Sequence, residues 1–542
     1  MKARILALGF LGGLVPAQAW AADCGCDFNV AVDKTSVNGT TLGVKPGDTV
    51  CIDAGKRPFL ILEEMVGTEA APVTIKNCGG RVEIANSDKG YGLLVNASKF
   101  FHVTGTGDPA IEYGFDVSAS RTGPDYSGSG VPVGDLSTDY ELDHIEVHHT
   151  GFAGFILKTE SRCDGSANLG KFVQKNTRVH HTYVHDTGGE GFYVGSTGYG
   201  GRNFDCNGTQ TLLYPHEHDG VYLYANRIEN TGWDGLQVGV TPKNCEVYAN
   251  LIRGVGKTAT DMVQTRGIQI GGASACKIYG NTLIDGPTIG IFILGAAETW
   301  VANNLVVDFA EEGIYGNDQK QDAVKGKSYV FVHNTVVRSG GAGLQLFGDL
   351  IAGNAVVNNL FVESGAKYGV GGNVDATNEG NLELATVAEA LFEDPSKDLF
   401  RIQMSSPAKD KGAVLANFAV ADDHDGVARD ATPDVGAYEY TDAPPPSGGA
   451  PNIGGSSSGG AGNAAGNGGS GNAAAGGSSG TAGNTASGSD DDGGCGCRVP
   501  GQRGHGDGGE NAPSGLLAMA AAIAFGMQRR RRAKARAATR GR

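Results

Sequence analysis

A short phrase recurs through the middle of this chain: an asparagine opens one run of apolar, β-branched residues, and a glycine opens the next. Asn250-Leu251-Ile252 is followed by Gly267-Ile268-Gln269-Ile270, and Asn281-Thr282-Leu283 by Gly290-Ile291-Phe292-Ile293. The corresponding glycines are 23 to 44 residues apart, an interval typical of solenoids, in which similar coils stack on one another. The repeating glycines are Gly154, Gly191, Gly235, Gly267, Gly290, Gly313 and Gly343.

The runs between these residues are short and rich in Val, Ile and Thr, so each repeat is predicted to contain two or three β-strands joined by tight corners. A solenoid made only of strands is a β-helix. The early phrase Val44-Lys45-Pro46-Gly47-Asp48 and the late phrase Pro433-Asp434-Val435-Gly436-Ala437 complete the pattern, the second as a terminal cap. With these features the chain resembles the right-handed parallel β-helix, or pectate-lyase-like, superfamily.

The resemblance implies an all-β fold in which residues 22–440 form a single right-handed parallel β-helix, and a monomer is expected. It implies less about chemistry, because this fold hosts lyases, hydrolases, epimerases and adhesins. The reaction, if there is one, has to be inferred from individual side chains.

Both ends of the chain are predicted to lie outside the solenoid. Residues 1–21 have the features of an export signal: Lys2 and Arg4, an apolar stretch, and the small-residue site Ala19-Trp20-Ala21. Residues 441–494 are dominated by Gly, Ser, Asn and Ala and cannot bury enough apolar surface to fold, so a disordered linker is predicted there.

Residues 495–542 contain Cys495-Gly496-Cys497, a short apolar segment and four arginines at 529–532. This order closely resembles the MYXO-CTERM sorting tail, which implies contact with sorting machinery and display on a bacterial cell surface. An ordinary C-terminal membrane anchor is the alternative. In either case we expect an exported protein, at the cell surface or outer membrane or in the extracellular medium.

The charge of the chain narrows the class of ligand. The formal net charge is −16, and nucleic acid is not an expected partner, because its binding requires a basic face. Residues 158–266 are nevertheless neutral and charge-dense, with 11 Lys plus Arg and 11 Asp plus Glu. Eight of the 12 histidines lie in or beside this stretch. We expect a catalytic site to lie there.

Ten cysteines suit an oxidising compartment. Cys245 and Cys276 begin consecutive coils in the same register, and stacked strands lie about 4.8 Å apart, which permits a disulfide bond; two buried thiols are the alternative. Cys163 and Cys206 lie in insertions that follow two adjacent coils, and we predict a second bond between them. The remaining candidate pair, in the first turns, is Cys51 with Cys78.

Aligning the repeats on the glycine gives columns of residues along the solenoid axis. The residue two positions after the glycine lies between apolar neighbours, so strand alternation points it outward. We interpret this row as an open bed for an extended sugar chain; ordinary β-propensity on a solvent-exposed face is the alternative. The candidate substrate-binding residues are Tyr193, Gln237, Gln269, Phe292 and Tyr315.

The column just before the glycine contains Glu190, Asp234 and Arg266 in three successive coils. Two carboxylates one coil apart repel each other unless they share a proton or a cation lies between them. Glu190 and Asp234 are therefore candidate metal ligands, with Ca²⁺ as the expected cofactor. Arg266 is a candidate catalytic residue that neutralises a uronate carboxylate or acts as a base. The alternative is a surface ion-pair ladder of little energetic value.

Histidines supply further candidates for the catalytic base. Residues 143–155 align without gaps on residues 180–192, which superposes His148 on His185. The sequence Pro215-His216-Glu217 is similar to the Asp-Pro-His-Asp/Glu motif of alginate C5-epimerases, with Tyr214 where the motif has aspartate. Histidine suits abstraction of the C5 proton of a uronic acid. Transition-metal binding and simple capping of the coils are the alternatives.

The leading interpretation is a cell-surface or secreted enzyme that cleaves an acidic polysaccharide by β-elimination. In it, Ca²⁺ or Arg266 stabilises the enolate, Arg266, His216 or His185 removes the C5 proton, and Glu190 with Asp234 holds the ion. An inverting glycoside hydrolase ranks lower because its carboxyl groups must be about 6.5–9.5 Å apart, more than one coil step. The same residues are also compatible with a C5-epimerase and with a non-catalytic carbohydrate-binding or adhesive solenoid.

Overall fold

Each coil of the chain contributes one strand to each of three faces, and every face is a ladder of parallel strands. The computed structural model describes residues 24–122, 128–258, 264–294, 298–317, 328–347, 352–371 and 374–442. These residues form the single right-handed parallel β-helix that the repeats predict. The predicted export signal, the linker from residue 443 onward and the sorting tail lie outside them. Within these ranges, no helix is long and apolar enough to cross a membrane.

The three faces belong to two sheets. The short-strand face is a separate sheet of 12 strands: Ser36–Asn38, Leu60–Glu63, Leu93–Asn96, Val131–Gly134, Phe155–Leu157, Phe192–Val194, Leu236–Val238, Ile268–Ile270, Ile291–Leu294, Ile314–Asn317, Leu344–Phe347 and Gly369–Gly371. The second and third faces belong to one sheet of 23 strands, because Thr49–Arg57 and Val73–Asn86 each run through the corner between them.

Apart from those two strands, the second face consists of Phe28–Val30, Lys99–Thr104, Thr138–Asp143, Val173–His180, Glu217–Tyr224, Lys243–Tyr248, Cys276–Tyr279, Thr299–Ala302, Tyr329–Val332, Asn354–Val357 and Ala376–Glu379. The third face consists of Phe115–Ala119, Ile145–Thr150, Tyr183–Thr187, Arg227–Thr231, Leu251–Arg253, Thr282–Gly286, Leu305–Phe309, Thr335–Val337, Leu360–Val362 and Leu382–Leu384.

Few elements lie outside the faces in the described ranges. Two antiparallel hairpins pair Arg202–Cys206 with Thr209–Leu213 and Phe392–Asp394 with Leu399–Ile402. The short helices are the α-helices Gly39–Leu42 and Val387–Ala390 and the 3₁₀ helices Pro395–Lys397 and Ala416–Phe418.

The repeating glycines lie in line because consecutive coils touch there. A Cβ atom added to Gly191 would lie 2.5 Å from the carbonyl oxygen of Gly235, and one added to Gly235 would lie 2.7 Å from that of Gly267. Gly267 and Gly290 show the same approach to the next coil, at 2.6 and 2.5 Å. No side chain fits at such distances, so the predicted line of glycines is confirmed and its cause is steric.

The repeating asparagines form a buried ladder at the corner between the second and third faces. The side-chain amide nitrogen of Asn281 donates to the side-chain oxygen of Asn304 and to the carbonyl of Val247, both at 2.9 Å, and its oxygen accepts from the amide nitrogen of Asn250 at 2.9 Å. Each amide therefore binds both neighbouring coils. This asparagine ladder consists of Asn226, Asn250, Asn281, Asn304, Asn334, Asn359 and Asn381.

Apolar side chains fill the interior in columns along the axis. Phe155 stacks on Phe192 with ring centroids 4.8 Å apart, and one buried cluster runs from Val30 near the first coil to Phe361 near the last. Full burial of side chains of this size stabilises a fold by about 1.5–3 kcal/mol each. The interior is thus closed, and chemistry has to take place on an outer surface.

The C-terminal segment lies along the side of the solenoid, whereas the sequence predicts a terminal cap. Phe392 and Phe400 belong to a buried cluster that includes outward residues of the third face such as Val337 and Val362. Further back, Arg253 forms an ion pair with Asp398 at 2.6 Å. The segment returns because the outward residues of these later coils are apolar and need to be covered.

Four disulfide bonds occur among the described residues. The structure joins Cys245 to Cys276 and Cys163 to Cys206, the two predicted pairs, with Cα atoms 4.5 and 5.5 Å apart. The candidate pair Cys51–Cys78 is wrong, because strand register places Cys51 opposite Lys76 and two positions away from Cys78. The segment before the first coil supplies the actual partners, in the bonds Cys26–Cys51 and Cys24–Cys78.

Candidate functional site

The outer side of the short-strand face carries ionisable side chains from four successive coils. Glu190, Asp234 and Arg266 each lie just before a strand of this face, as the aligned repeats predict. Lys158 follows the strand Phe155–Leu157 at the opposite edge, and its ammonium group lies 4.1 Å above the ring centroid of Tyr193. We call Lys158, Glu190, Asp234 and Arg266 the charged cluster.

The two carboxyl groups of the cluster are buried and incompletely paired. Asp234 is 0% exposed and Glu190 is 1% exposed. One oxygen of Asp234 accepts the backbone N–H of Arg266 at 2.8 Å. The other oxygen of Asp234 and the Oε2 atom of Glu190 have no hydrogen-bond partner among the described residues. Such groups destabilise a fold by about 1–3 kcal/mol each, which makes them candidates for a functional role.

Burial raises the pKa values of the two carboxyl groups by different amounts. Burial, together with repulsion from Asp234, raises the pKa of Glu190 to about 8, although Lys158 opposes the rise. Burial raises the pKa of Asp234 to about 6, against the opposing charge and N–H of Arg266. Glu190 therefore keeps its proton to a higher pH than Asp234 does. A carboxyl pair of this kind contains one proton donor and one proton acceptor.

Lys158 belongs to the site but is not among the residues selected from the sequence. It is 2% exposed, and its ammonium nitrogen lies 2.8 Å from a carboxylate oxygen of Glu160. Strand register pairs Leu157 with Val194, so the next coil has Gly195 in the position of Lys158. A lysine that stands where the following coil has a glycine was the available signal.

The outward row of the short-strand face is largely buried. Leu236 and Val238 point into the core, so Gln237 faces outward as predicted, yet it is 0% exposed, and Tyr193 is 3% exposed. Gln269 and Phe292 are also buried, and only Tyr315 is partly exposed. The expected open bed is therefore wrong over most of the row, because strand alternation gives a side chain's direction and not what covers it.

Contacts along this row connect it to the charged cluster. The amide nitrogen of Gln269 donates to the side-chain oxygen of Gln237 at 3.0 Å. The guanidinium of Arg266 lies 4.7 Å from the ring centroid of Phe292, which stacks on Tyr315 at 5.5 Å. The row therefore leads from the buried carboxyl groups to a partly exposed aromatic ring.

Two long loops form a wall beside Lys158: residues 159–172, after one short strand, and residues 195–216, after the next. The Cys163–Cys206 disulfide joins these loops. The backbone N–H of Thr159 also donates to Nε2 of His216 at 3.1 Å. We call this pair of loops the loop wall; its two cysteines lie outside the strands of the three faces.

His216 is placed as part of the loop wall rather than as a free base. Its Nε2 accepts from Thr159, and its Nδ1 lies 3.1 Å from the carbonyl oxygen of Glu217, to which it donates. Burial lowers the pKa of His216. Since both ring nitrogens bind the main chain, the role of proton acceptor assigned to His216 from the sequence does not fit this geometry.

His218 lies next to His216, with ring centroids 4.9 Å apart, and was not selected from the sequence. It is fully buried, and neither of its ring nitrogens has a hydrogen-bond partner in the described part of the chain. Burial, with the positive charge of Lys158 and the neighbouring His216, brings the pKa of His218 well below its usual value. His218 is therefore a neutral ring beneath the loop wall.

His185 lies on a different face from the charged cluster. It belongs to the third-face strand Tyr183–Thr187, where its ring nitrogens lie 3.2 Å from Glu146 and 2.8 Å from Asp186. The predicted stacking of His148 on His185 is confirmed by strand register and by ring centroids 5.2 Å apart. The assignment of His185 as the base of this site does not fit, because the row that contains His148 and His185 runs along the third face and the charged cluster lies on the short-strand face.

The predicted calcium ligands are next to cations. Ca²⁺ takes about six to eight oxygen ligands, whereas Glu190 and Asp234 offer two carboxyl groups, with Lys158 and Arg266 close enough to affect their pKa values. Within the described ranges, Glu190 and Asp234 do not belong to a group of three metal-ligating side chains. The protein's own donor set does not fit Ca²⁺.

Comparisons with known proteins agree with the fold. A family model described as "Right handed beta helix region" matches residues 212–382. Among solved structures, pectate lyase Pel9A is similar at 13% identity and a TM-score of 0.42, covering 78% of this chain and 99% of its own. An alginate lyase from Paenibacillus sp. str. FPU-7 is similar at 13% identity and a TM-score of 0.32, covering 65% of this chain and 99% of its own.

A GH136 lacto-N-biosidase from Eubacterium ramulus is similar at 14% identity and a TM-score of 0.44, with 64% of this chain and 63% of that chain covered. No curated protein matches the chain in sequence. The matched family model describes the same kind of fold that the strands form, a right-handed β-helix.

Proposed function

We propose that this chain is an exported enzyme that cleaves an acidic polysaccharide by β-elimination at the charged cluster. The observation that carries the proposal is the buried carboxyl pair, in which Glu190 and Asp234 each keep an oxygen without a hydrogen-bond partner among the described residues. A surface ion-pair ladder would be exposed, and these two groups are not. Burial at a cost in stability is typical of functional sites.

The cations of the cluster suit a uronate substrate. Arg266 has a planar guanidinium whose paired N–H groups match a carboxylate, and its side chain is only partly buried. Neutralising the uronate carboxylate makes the C5 proton easier to remove, because the negative charge that develops there spreads onto the carboxyl group. Arg266 is better placed for this role than Lys158, because its side chain is partly exposed whereas that of Lys158 is buried.

The carboxyl pair supplies the proton acceptor and the proton donor. In the proposed step Asp234, in its ionised form, takes the C5 proton, and the electron pair of the broken C5–H bond forms a C4–C5 double bond. The C4–O bond breaks, and Glu190, in its protonated form, gives its proton to the leaving oxygen. One proton is accepted and one is donated, so the pair ends with the two protonation states exchanged. Proton transfers by positioned acid–base groups of this kind contribute about 10²–10⁴-fold each.

The same carboxyl pair favours a glycoside hydrolase as the second candidate. Glu190 and Asp234 lie one coil apart, and strands of neighbouring coils are about 4.8 Å apart, close to the carboxyl separation of about 5–5.5 Å in retaining glycosidases. In that reaction Asp234 would act as the nucleophile and Glu190 as the acid. A hydrolase leaves saturated ends, so product chemistry separates the two candidates.

The test is incubation of the purified protein with a panel of polyuronates and neutral glycans, each with and without Ca²⁺ because substrate oxygens add to the donor set. New ends that absorb as unsaturated uronates support the lyase. New reducing ends without unsaturation support the hydrolase, and a changed C5 configuration without new ends supports the epimerase. Saturable binding with no chemical change to any polymer would overturn the enzymatic proposal in favour of a carbohydrate-binding or adhesive solenoid.

A further inference from the structure

A second cluster of ionisable side chains lies on the outer side of the second face, away from the charged cluster. Three consecutive coils contribute to it through the strands Lys99–Thr104, Thr138–Asp143 and Val173–His180. Strand register places His102 opposite Glu141, and Asp143 opposite His180. We call these four side chains the histidine–carboxylate cluster.

The cluster brings ligand atoms of two kinds to one place. His102, Glu141 and Asp143 each offer one ligand atom, and these atoms all lie within 4.8 Å of one another. Nε2 of His180 lies 2.7 Å from Oε1 of Glu141, and Nε2 of His102 contacts Oδ2 of Asp143. One imidazole nitrogen and two carboxylate oxygens form a mixed donor set that suits zinc, whereas calcium prefers oxygen alone.

Neighbouring side chains hold these ligands in place. Asp143 is buried, and its second oxygen accepts from the hydroxyl of Thr104 and pairs with Nδ1 of His144, both at 2.6 Å. Nδ1 of His180 lies 2.8 Å from Nδ1 of His181. Outer hydrogen bonds of this type orient carboxylate and imidazole ligands in metal sites.

A similar network on the third face shows what distinguishes this cluster. There, His148 and His185 contact Asp116 and Glu146, and Arg81 forms ion pairs with both carboxylates. That network already contains a cation. In the histidine–carboxylate cluster no lysine or arginine of the described residues forms a salt bridge to Glu141 or Asp143, and the partners of these carboxylates are histidines.

We propose that His102, Glu141 and Asp143 bind a divalent transition-metal ion, of which Zn²⁺ suits the donor set best, and that His180 positions Glu141. The ion links two consecutive coils on the outer surface, and His180 lies on the coil next to them. These coils precede the ones whose outward apolar residues pack against the returning C-terminal segment. This site is independent of the proposed polysaccharide cleavage, because its ligands lie on a different face from the charged cluster.

The test is calorimetric titration of the full chain with zinc chloride, after removal of bound metal by a chelator and alkylation of free thiols, which blocks Cys495 and Cys497. We expect one saturable zinc ion per chain, and at least tenfold weaker binding in His102→Gln and in Glu141→Gln. His148→Gln, which alters the third-face network, is the matched control and should bind zinc as the unaltered protein does. Zinc should also raise the melting temperature of the unaltered protein and the control, but not of His102→Gln.

Three results would overturn the proposal. The first is no saturable zinc binding to the alkylated chain. The second is zinc binding that both His102→Gln and Glu141→Gln leave unchanged while circular dichroism shows them folded. The third is saturable binding of Ca²⁺ but not of Zn²⁺, which would make the cluster a site for a hard cation.

Discussion

Two polar columns run along the axis of this solenoid, the asparagine ladder and the charged cluster. They differ in whether side chains of the same column can satisfy one another's hydrogen bonds. In the asparagine ladder each amide both donates and accepts, so identical residues bind one another from coil to coil, as Asn281 does with Asn250 and Asn304. In the charged cluster, Glu190 and Asp234 present carboxyl groups, which when ionised can accept hydrogen bonds but cannot donate them. A repeated carboxylate repels its neighbour. The first column stabilises the fold, and the second acquires shifted pKa values.

The largest expected effect is on stability, and it concerns the asparagine ladder. Replacing Asn281 by Leu removes an amide that makes hydrogen bonds to Asn250, Asn304 and Val247 and leaves buried partners without them. We expect a loss of about 3 kcal/mol or more in the free energy of unfolding, since each buried group left unpaired costs about 1–3 kcal/mol. Chemical denaturation measures it. The control is Asn203→Ala, at an exposed position of the hairpin strand Arg202–Cys206, which should change stability by less than about 0.5 kcal/mol.

Equal stabilities for Asn281→Leu and Asn203→Ala would contradict the view that the ladder holds the coils together.

The next largest effect concerns the charged cluster. Arg266→Ala should lower turnover of an acidic polysaccharide by about 10²-fold or more, because it removes the charge that stabilises the developing carbanion. Arg253→Ala is the matched control: Arg253 lies on the third face and pairs with Asp398, so turnover should be unchanged. Initial rates of formation of new ends measure both variants, and equal rates would remove Arg266 from the mechanism.

The pH dependence of stability should distinguish the columns as well. Because the pKa of Glu190 is raised to about 8 from an ordinary value of about 4.3, the folded state holds a proton that the unfolded state releases between these values. Glu190 therefore destabilises the fold increasingly as pH rises through this window, by at most about 1.4 kcal/mol per pH unit. Glu190→Gln lacks this term, and its stability relative to the unaltered protein should rise from pH 5 to pH 8.

Denaturation curves of both proteins at several pH values test this difference. A difference that stays flat over the window would show that Glu190 titrates near its ordinary value.

The smallest effect is expected at the far end of the outward row. Gln345 pairs in register with Tyr315, one coil further from the charged cluster, and is partly exposed. Gln345→Ala should change turnover by less than about twofold and stability by less than about 0.5 kcal/mol. A large loss of turnover in this variant would extend the substrate-binding surface beyond Tyr315.

The sequence predicts the fold well because the coil imposes local rules. A glycine is required where coils touch, and an asparagine where the ladder runs, so Gly235 and Asn250 each mark a place in every repeat. The same register brings Cys245 next to Cys276 and places Glu190, Asp234 and Arg266 in one column. These features repeat, and repetition is visible without coordinates.

The site is less predictable because its decisive features do not repeat. The next coil has a glycine in the position of Lys158. The place of Lys158 in the site depends on its own side chain, whose ammonium group reaches the ring of Tyr193 on that coil. The burial of Gln237 depends on tertiary covering, and the engagement of both nitrogens of His216 depends on the loop wall. His185 repeats as predicted, but strand alternation along one face does not say which face carries the reaction.

The most direct test of the central claim is the paired substitution Glu190→Gln with Asp234→Asn, assayed for both stability and activity at pH 8. These changes keep the shape of the side chains and remove the buried charge. The account predicts a protein that resists chemical denaturation better than the unaltered chain and no longer forms new ends on an acidic polysaccharide. A variant that is less stable and still fully active would contradict the claim that the carboxyl column is kept for function at the expense of the fold.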